Sequence, residues 1–261
     1  MARFIIMFTL LVIELGVNTN QASAANKRGT PQPLHQNFDS FVLLSARSSD
    51  LKLFLPALAN SKPGKLVTWE NMLTAYSQEW LTKKGALSDR QLLHQLFYDV
   101  HRLYLKKFTQ YTGLHALLKS GEYNCLSATA FYALLLERLD YKYEIIESVN
   151  HVVLLVKLQD GQLILLESTD PANGFLADKH AVKQRLQAIR DSEQAAGYYN
   201  LNLRIFRAID LRELAGLQYY NYAAWYYNQR NMALAADYLR KGQLLYQSER
   251  FEKIAHLMAN P

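Results

Sequence analysis

The chain is poor in the residues that staple or stretch a fold. It has one cysteine, Cys125, so no internal disulfide and no multi-cysteine zinc site can form. Its 11 glycines and 6 prolines in 261 residues exclude collagen-like, solenoid β and low-complexity folds. No H-E-x-x-H motif and no Gly-rich phosphate loop occurs. His94 and His101 are seven apart, about two helical turns, too far to share a metal without a third group. His35, His115, His180 and His256 have no companions that suggest chemistry. No metal and no cofactor is expected. The 29 Lys and Arg exceed the 23 Asp and Glu by six, but they are scattered as pairs such as Lys83-Lys84 and Arg240-Lys241. No run reaches the density of a nucleic-acid arm or a polybasic membrane patch, so no nucleic-acid partner is expected.

What the chain has instead is apolar and aromatic. Half of its residues are hydrophobic, with 17 Tyr and 11 Phe. A chain of this size buries a sizeable core without disulfides or metals.

The first residues have the anatomy of a secretory leader. Met1-Ala2-Arg3 is a short basic segment, Phe4 to Ile13 is apolar apart from Thr9, and Ala22-Ser23-Ala24 is an A-x-A cleavage signal. The apolar run is about half the ~20 residues a spanning helix needs. The expectation is cleavage after Ala24 and an exported protein, periplasmic or secreted, with no stable membrane anchor. The organisation expected is a leader at 1–24, an N-terminal extension at 25–65, a domain at 66–210 and a helical segment at 211–261.

Residues 25–40 are polar with two prolines, and 41–58 are mixed, with room for one short helix. Ser61-Lys62-Pro63-Gly64 reads as a turn, and Thr68 as the cap of a helix over 69–82. Ser88 to Gln91 is a capping box, followed by Leu92, Leu93, Leu96, Phe97, Val100, Leu103, Tyr104 and Phe108 at helical spacing. Gly121 to Cys125 reads as a loop before a strongly apolar helix over 126–139. Then the pattern changes to three aliphatic and β-branched runs, 143–148, 151–158 and 163–168, the last two joined at Asp160-Gly161. A loop at 170–174, a helix over 179–195, a strand over 202–209 and helices from Leu211 onward complete the chain. Helices, then a β-meander, then helices indicate an α+β fold.

One constellation carries chemistry. Cys125 stands at a predicted helix start, where aligned N–H groups favour a thiolate, and it follows a Gly-containing loop. His151 opens a predicted strand, and an acid lies beyond the next one. A two-residue turn at Asp160-Gly161 would pair Gln159 with Gln162 and continue to His151 opposite Asp170, with Glu167 opposite Leu154. Strict pairing thus favours Asp170 beside His151, whereas a bulge or wider loop would bring Glu167 there.

Gly121–Leu126, His151-Val-Val and Leu166-Glu-Ser-Thr169 resemble the three motifs of the transglutaminase-like superfamily, in which a Cys starts a helix, a His opens a strand and an acid follows the next strand. The likeness covers about residues 86–175. The Cys-Leu-Ser motif and the later Leu-Glu-x-Thr motif are more narrowly similar to a bacterial branch of that superfamily. The chain departs from the usual His-Ala-Trp, having His-Val-Val, and from the commoner Asp, having Glu167. The resemblance implies a papain-like core and a Cys125–His151–Glu167 triad, with Asp170 in reserve. It also implies an oxyanion site built from the Cys125 backbone N–H with Asn124 or Tyr123. It implies a peptide or protein substrate, with cell-envelope peptides suggested by the leader. A water acceptor would give a peptidase or amidase, an amine acceptor a transglutaminase.

Tyr219, Tyr222, Ala223, Tyr226, Ala235 and Leu239 fall at the spacing of a tetratricopeptide repeat, with helices over 218–228 and up to Gln247 and a turn at 229–231. Gly242 stands where that repeat has Ala, and Gln247 where it has Pro. That bacterial branch also pairs the two parts. The segment reads as an amphipathic hairpin packed on the preceding domain, although Tyr219, Tyr220, Tyr222, Tyr226 and Tyr227 could line a peptide groove. The alternative function is therefore a catalytically inactive binding or scaffold module that holds a protein partner through 211–257.

Overall fold

The computed structural model describes residues 50–54, 64–195, 203 and 205–259. The expected leader, and the readings at 25–49, lie outside the described residues. After a 3-10 turn at Asp50–Phe54 come helices α1 (Gly64–Lys83) and α2 (Asp89–Leu103), strand β1 (Lys107–Phe108), α3 (Leu114–Ser120), β2 (Glu122–Tyr123) and α4 (Cys125–Arg138). Strands β3 (Lys142–Ser148), β4 (Val152–Lys157), β5 (Leu163–Leu166) and β6 (Phe175–Leu176) follow. Then come α5 (Lys179–Ala195), β7 (Phe206–Ile209), α6 (Leu211–Asn228), α7 (Met232–Leu245) and α8 (Glu249–Ala259). The fold is α+β, with an antiparallel sheet of order β6-β5-β4-β3-β7.

Helix α4 is apolar on all sides, and every residue from Cys125 to Leu136 is buried. It lies in the main core with Val152, Leu154, Val156, Ile164 and Leu166 from one face of the sheet. The opposite face, with Ile146, Val153 and Leu165, packs on Val182 and Leu186 of α5. Burial on both faces is why β4 reads as an unbroken aliphatic run rather than an alternating one.

Several boundaries differ from the sequence reading. Helix α1 begins at Gly64, so Thr68 lies inside it rather than capping it, and Gly64 is helical rather than part of a turn. The capping box at Ser88 is present, but α2 stops at Leu103. Phe108 leaves the helical pattern because the N–H groups of Lys106 and Lys107 turn to the carbonyl of Gly121, and Lys107–Phe108 pairs in parallel with Glu122–Tyr123. Gly121 makes this possible: it closes α3 at φ 78°, and a Cβ there would come within 2.8 Å of the Tyr104 carbonyl. The expected strand over 202–209 is seen as β7 from Phe206, with 201, 202 and 204 outside the described residues.

The hairpin between β4 and β5 is the consequential correction. Lys157 pairs with Leu163 and Leu154 with Leu166, one residue away from the register of a two-residue turn and in line with the wider loop. Only Gly161 has a positive φ, at 83°, whereas a two-residue type I′ turn needs two such residues. The loop is instead Gln159-Asp160-Gly161, closed by Leu158 N–H to the Gln162 carbonyl (2.9 Å) and Gly161 N–H to the Leu158 carbonyl (3.0 Å).

Helices α6 to α8 share the main core, which runs from Leu51 to Ile254. Helix α6 begins at Leu211, seven residues before the repeat-based start, behind an Asp210 capping box with Glu213. Gly242 is explained by its neighbours: a Cβ there would strike the ring of Phe251 and sit 3.1 Å from the Gly216 carbonyl. Tyr219 and Tyr220 are buried in the core, while Tyr222, Tyr226 and Tyr227 are partly exposed. Among the described residues no helix is long and apolar enough to cross a membrane.

Candidate functional site

Cys125 is the first residue of α4, and the cap that holds it there accounts for the Cys-Leu-Ser motif. The Asn124 side chain accepts the Ser127 N–H at 2.9 Å, and the Ser127 hydroxyl accepts the Asn124 N–H at 3.0 Å. The Asn124 amide also donates to the carbonyls of Gln110 and Thr112, at 2.9 and 3.1 Å. Asn124 therefore fixes the turn before Cys125, and its N–H groups are engaged in doing so.

His151 sits one residue before β4. Its backbone N–H donates to the Ser148 hydroxyl at 3.1 Å, and its carbonyl accepts the Ser148 N–H at 2.8 Å. Its ring Nε2 lies 3.1 Å from Glu167 Oε1. The Cys125 thiol is the other side chain that acts on the ring. Burial disfavours the imidazolium, but the bonds and charges of Cys125 and Glu167 outweigh it and push the His151 pKa up to about 9.

Glu167 follows β5 directly. With Leu154 opposite Leu166, continuing the register puts Glu167 level with Val153, on the same side as His151. Its own backbone is tied down by N–H donation to the Gly174 carbonyl at 2.8 Å, and Ser168 is bonded to Thr129 of α4 at 3.2 Å. Burial alone would raise the Glu167 pKa, yet His151 and Arg185 lower it below the ordinary value.

Asp170 does not meet His151. Its Oδ1 accepts the Asn173 N–H at 2.9 Å, and its Oδ2 lies 3.6 Å from Arg185. Nearby His101 is packed among Phe97 and Tyr132, and burial lowers its pKa to about 4, against the Asp170 charge. Tyr123 stands in β2 just before the cap, and burial raises its phenol pKa, so it stays a neutral hydroxyl.

Arg185 was not legible in the sequence. It projects from α5 and bonds Glu167 Oε2, the oxygen His151 leaves over. No local motif marks it; its only signal is a cation in a helix that follows the acid. Cys125 is only 5% exposed and His151 9%. A groove of about 710 Å³ beside Leu163, Val182 and Arg190, and another of about 590 Å³ beside Tyr143 and Arg212, include no member of this set. Among the described residues no His, Cys, Asp and Glu cluster is arranged to hold a metal ion. Comparison of the chain with family models, with curated proteins and with solved structures found no match.

Proposed function

We propose that this is an exported, thiol-dependent acyl-transfer enzyme, a cysteine peptidase or amidase or a transglutaminase-like acyltransferase. The observation that carries the reading is the contact of His151 Nε2 with Glu167 Oε1 at 3.1 Å, on an imidazole whose charged form Cys125 and Glu167 together favour. A Cys at a helix start, a His at the head of a strand and an acid after the next strand is also the arrangement of the transglutaminase-like superfamily, with its papain-like core. Its resemblance motifs lie on these three residues.

In this reading His151 takes the Cys125 proton, leaving a thiolate–imidazolium pair in which Glu167 fixes the ring and stabilises its charge. The sulfur adds to the carbonyl carbon of a peptide or protein amide. The oxyanion is met by the N–H of Cys125, which like all first-turn N–H groups has no partner within its helix. The Tyr123 hydroxyl is a second candidate donor. His151 then delivers its proton to the leaving amine, the C–N bond breaks and a Cys125 thioester remains. Water or a second amine resolves it, with His151 again removing the proton. Export, and envelope peptides as substrates, enter this proposal through the leader-like first 24 residues alone.

The test is acylation of the purified protein by p-nitrophenyl acetate. The reading expects a burst of one p-nitrophenol per chain and an acetyl adduct of about 42 Da on Cys125 by mass spectrometry. The burst should vanish in Cys125→Ala and fall steeply in His151→Ala. A rate in His151→Ala equal to that of the native protein would overturn the proposal.

A further inference from the structure

The run Lys142–Ser148 places a glutamate, Glu147, where a strand enters the core, and it is fully buried. Such a charge needs partners. One carboxylate oxygen, Oε1, takes Arg250 of α8 at 2.7 Å. The other takes Arg207 of β7 at 3.3 Å and the hydroxyl of Tyr246. Arg250 is itself only 1% exposed, so both members of the pair have left water.

Arg250 does more than neutralise Glu147. Its guanidinium also donates to the carbonyls of Ser148 and Val149, both at 3.2 Å. These belong to the two-residue turn that joins β3 to β4 and delivers His151. That turn needs outside support. Neither Val149 nor Asn150 has a positive φ, so it is not a type I′ or II′ turn, the two forms that match strand twist unaided. The fork of Arg250 reaches the strand carboxylate and the turn carbonyls together, which a lysine ammonium does poorly. Ser148 passes the constraint on, since its hydroxyl accepts the His151 N–H.

We infer that Arg250 is a positioning residue, fixing the Ser148–His151 turn so that the imidazole keeps its place against Glu167 and α8 becomes part of the candidate site. This rests on the Cys125–His151–Glu167 reading above. A purely structural pair would need only to balance the buried charge. The positioning role requires the contacts to Ser148 and Val149 as well.

The experiment is the pH profile of iodoacetamide alkylation, which is unambiguous because Cys125 is the only thiol. It compares the native protein and His151→Ala with Arg250→Lys and with the charge-neutral double variant Glu147→Gln/Arg250→Met, each checked for cooperative unfolding. At pH 6 the native protein should react faster than His151→Ala, and both Arg250 variants should be slower than native by about 10- to 100-fold, with profiles moved toward that of His151→Ala. A folded variant with the native profile overturns the inference, and if the double variant does not fold, Arg250→Lys alone decides. A native profile equal to that of His151→Ala overturns the triad reading itself, and so is distinguishable from failure of the positioning role.

Discussion

Arg185 and His151 divide one carboxylate between them: His151 Nε2 faces Oε1 of Glu167 at 3.1 Å, and Arg185 bonds Oε2. The acid is thus oriented from both sides and kept ionised, the state that can support an imidazolium. Arg185→Met should leave Glu167 buried with one oxygen uncompensated. The expected cost is about 2 kcal/mol in urea unfolding, in the range for hydrogen bonds to charged groups. Acylation of Cys125 should fall with it, and Arg185→Lys should restore part of both. Unchanged acylation in a folded Arg185→Met would show that Glu167 needs no second anchor.

The two acids weighed from the sequence separate in the same way. Asp170 is spent on the Asn173 N–H and lies toward Arg185, whereas Glu167 meets the imidazole. Glu167→Gln should lower the acylation rate by about 10²- to 10⁴-fold, as loss of the tautomer-fixing charge does elsewhere. Asp170→Asn should change it only a few-fold. The reverse ranking, measured under identical burst conditions, would make Asp170 the third member.

What could be read in advance depended on how local the determinant was. The apolar run after Cys125, the capping box at Ser88 and the aliphatic strands are set within a few residues, and they appear in the structure at nearly the expected places. The β4–β5 register stays open in the sequence because Asp160-Gly161 is compatible with a two- or a three-residue loop, and the structure takes the wider one. The choice turns on whether Asp160 adopts a positive φ, and it does not. That single step moves Glu167 to the His151 side of the sheet. Arg185, 18 residues from Glu167, and Arg250, 103 residues from Glu147, act through tertiary contacts that no spacing rule reports.

The charge state of the triad predicts a pH dependence of stability. Folding raises the His151 pKa from 6.5 to about 9, so its contribution is complete below 6.5 and is lost as pH rises through 9. Folding lowers that of Glu167 below 4.5, so its contribution is present above 4.5 and is lost on further acidification. The stability advantage of the native protein over His151→Gln should therefore be largest between 4.5 and 6.5 and shrink toward pH 9. Thermal unfolding across about pH 4 to 9.5 reads this directly. A difference that grows with rising pH would mean that the imidazole is neutral in the native state.

The loop that carries Glu167 offers a test of geometry without touching a charge. Gly174 accepts the Glu167 N–H through its carbonyl, and its Cα faces inward against backbone. A Cβ there would collide with the Glu167 carbonyl, lie 2.5 Å from that of Asp170 and 2.9 Å from Phe97 Cζ. Two of the three obstacles are main chain, so a side-chain rotation cannot relieve them. Gly174→Ala should cost about 1–3 kcal/mol of stability, as overpacking does. It should also displace Glu167 relative to His151, slowing Cys125 acylation by about 10-fold or more, because small misplacements of a catalytic set are felt strongly. Gly161→Ala is the control: it sits at φ 83° in the β4–β5 hairpin, with nothing within 4 Å of an added Cβ. It should cost stability through backbone strain but leave the acylation rate of the folded protein near native. Equal kinetic effects from the two substitutions would mean that general loosening of the sheet, rather than the placement of Glu167, governs Cys125.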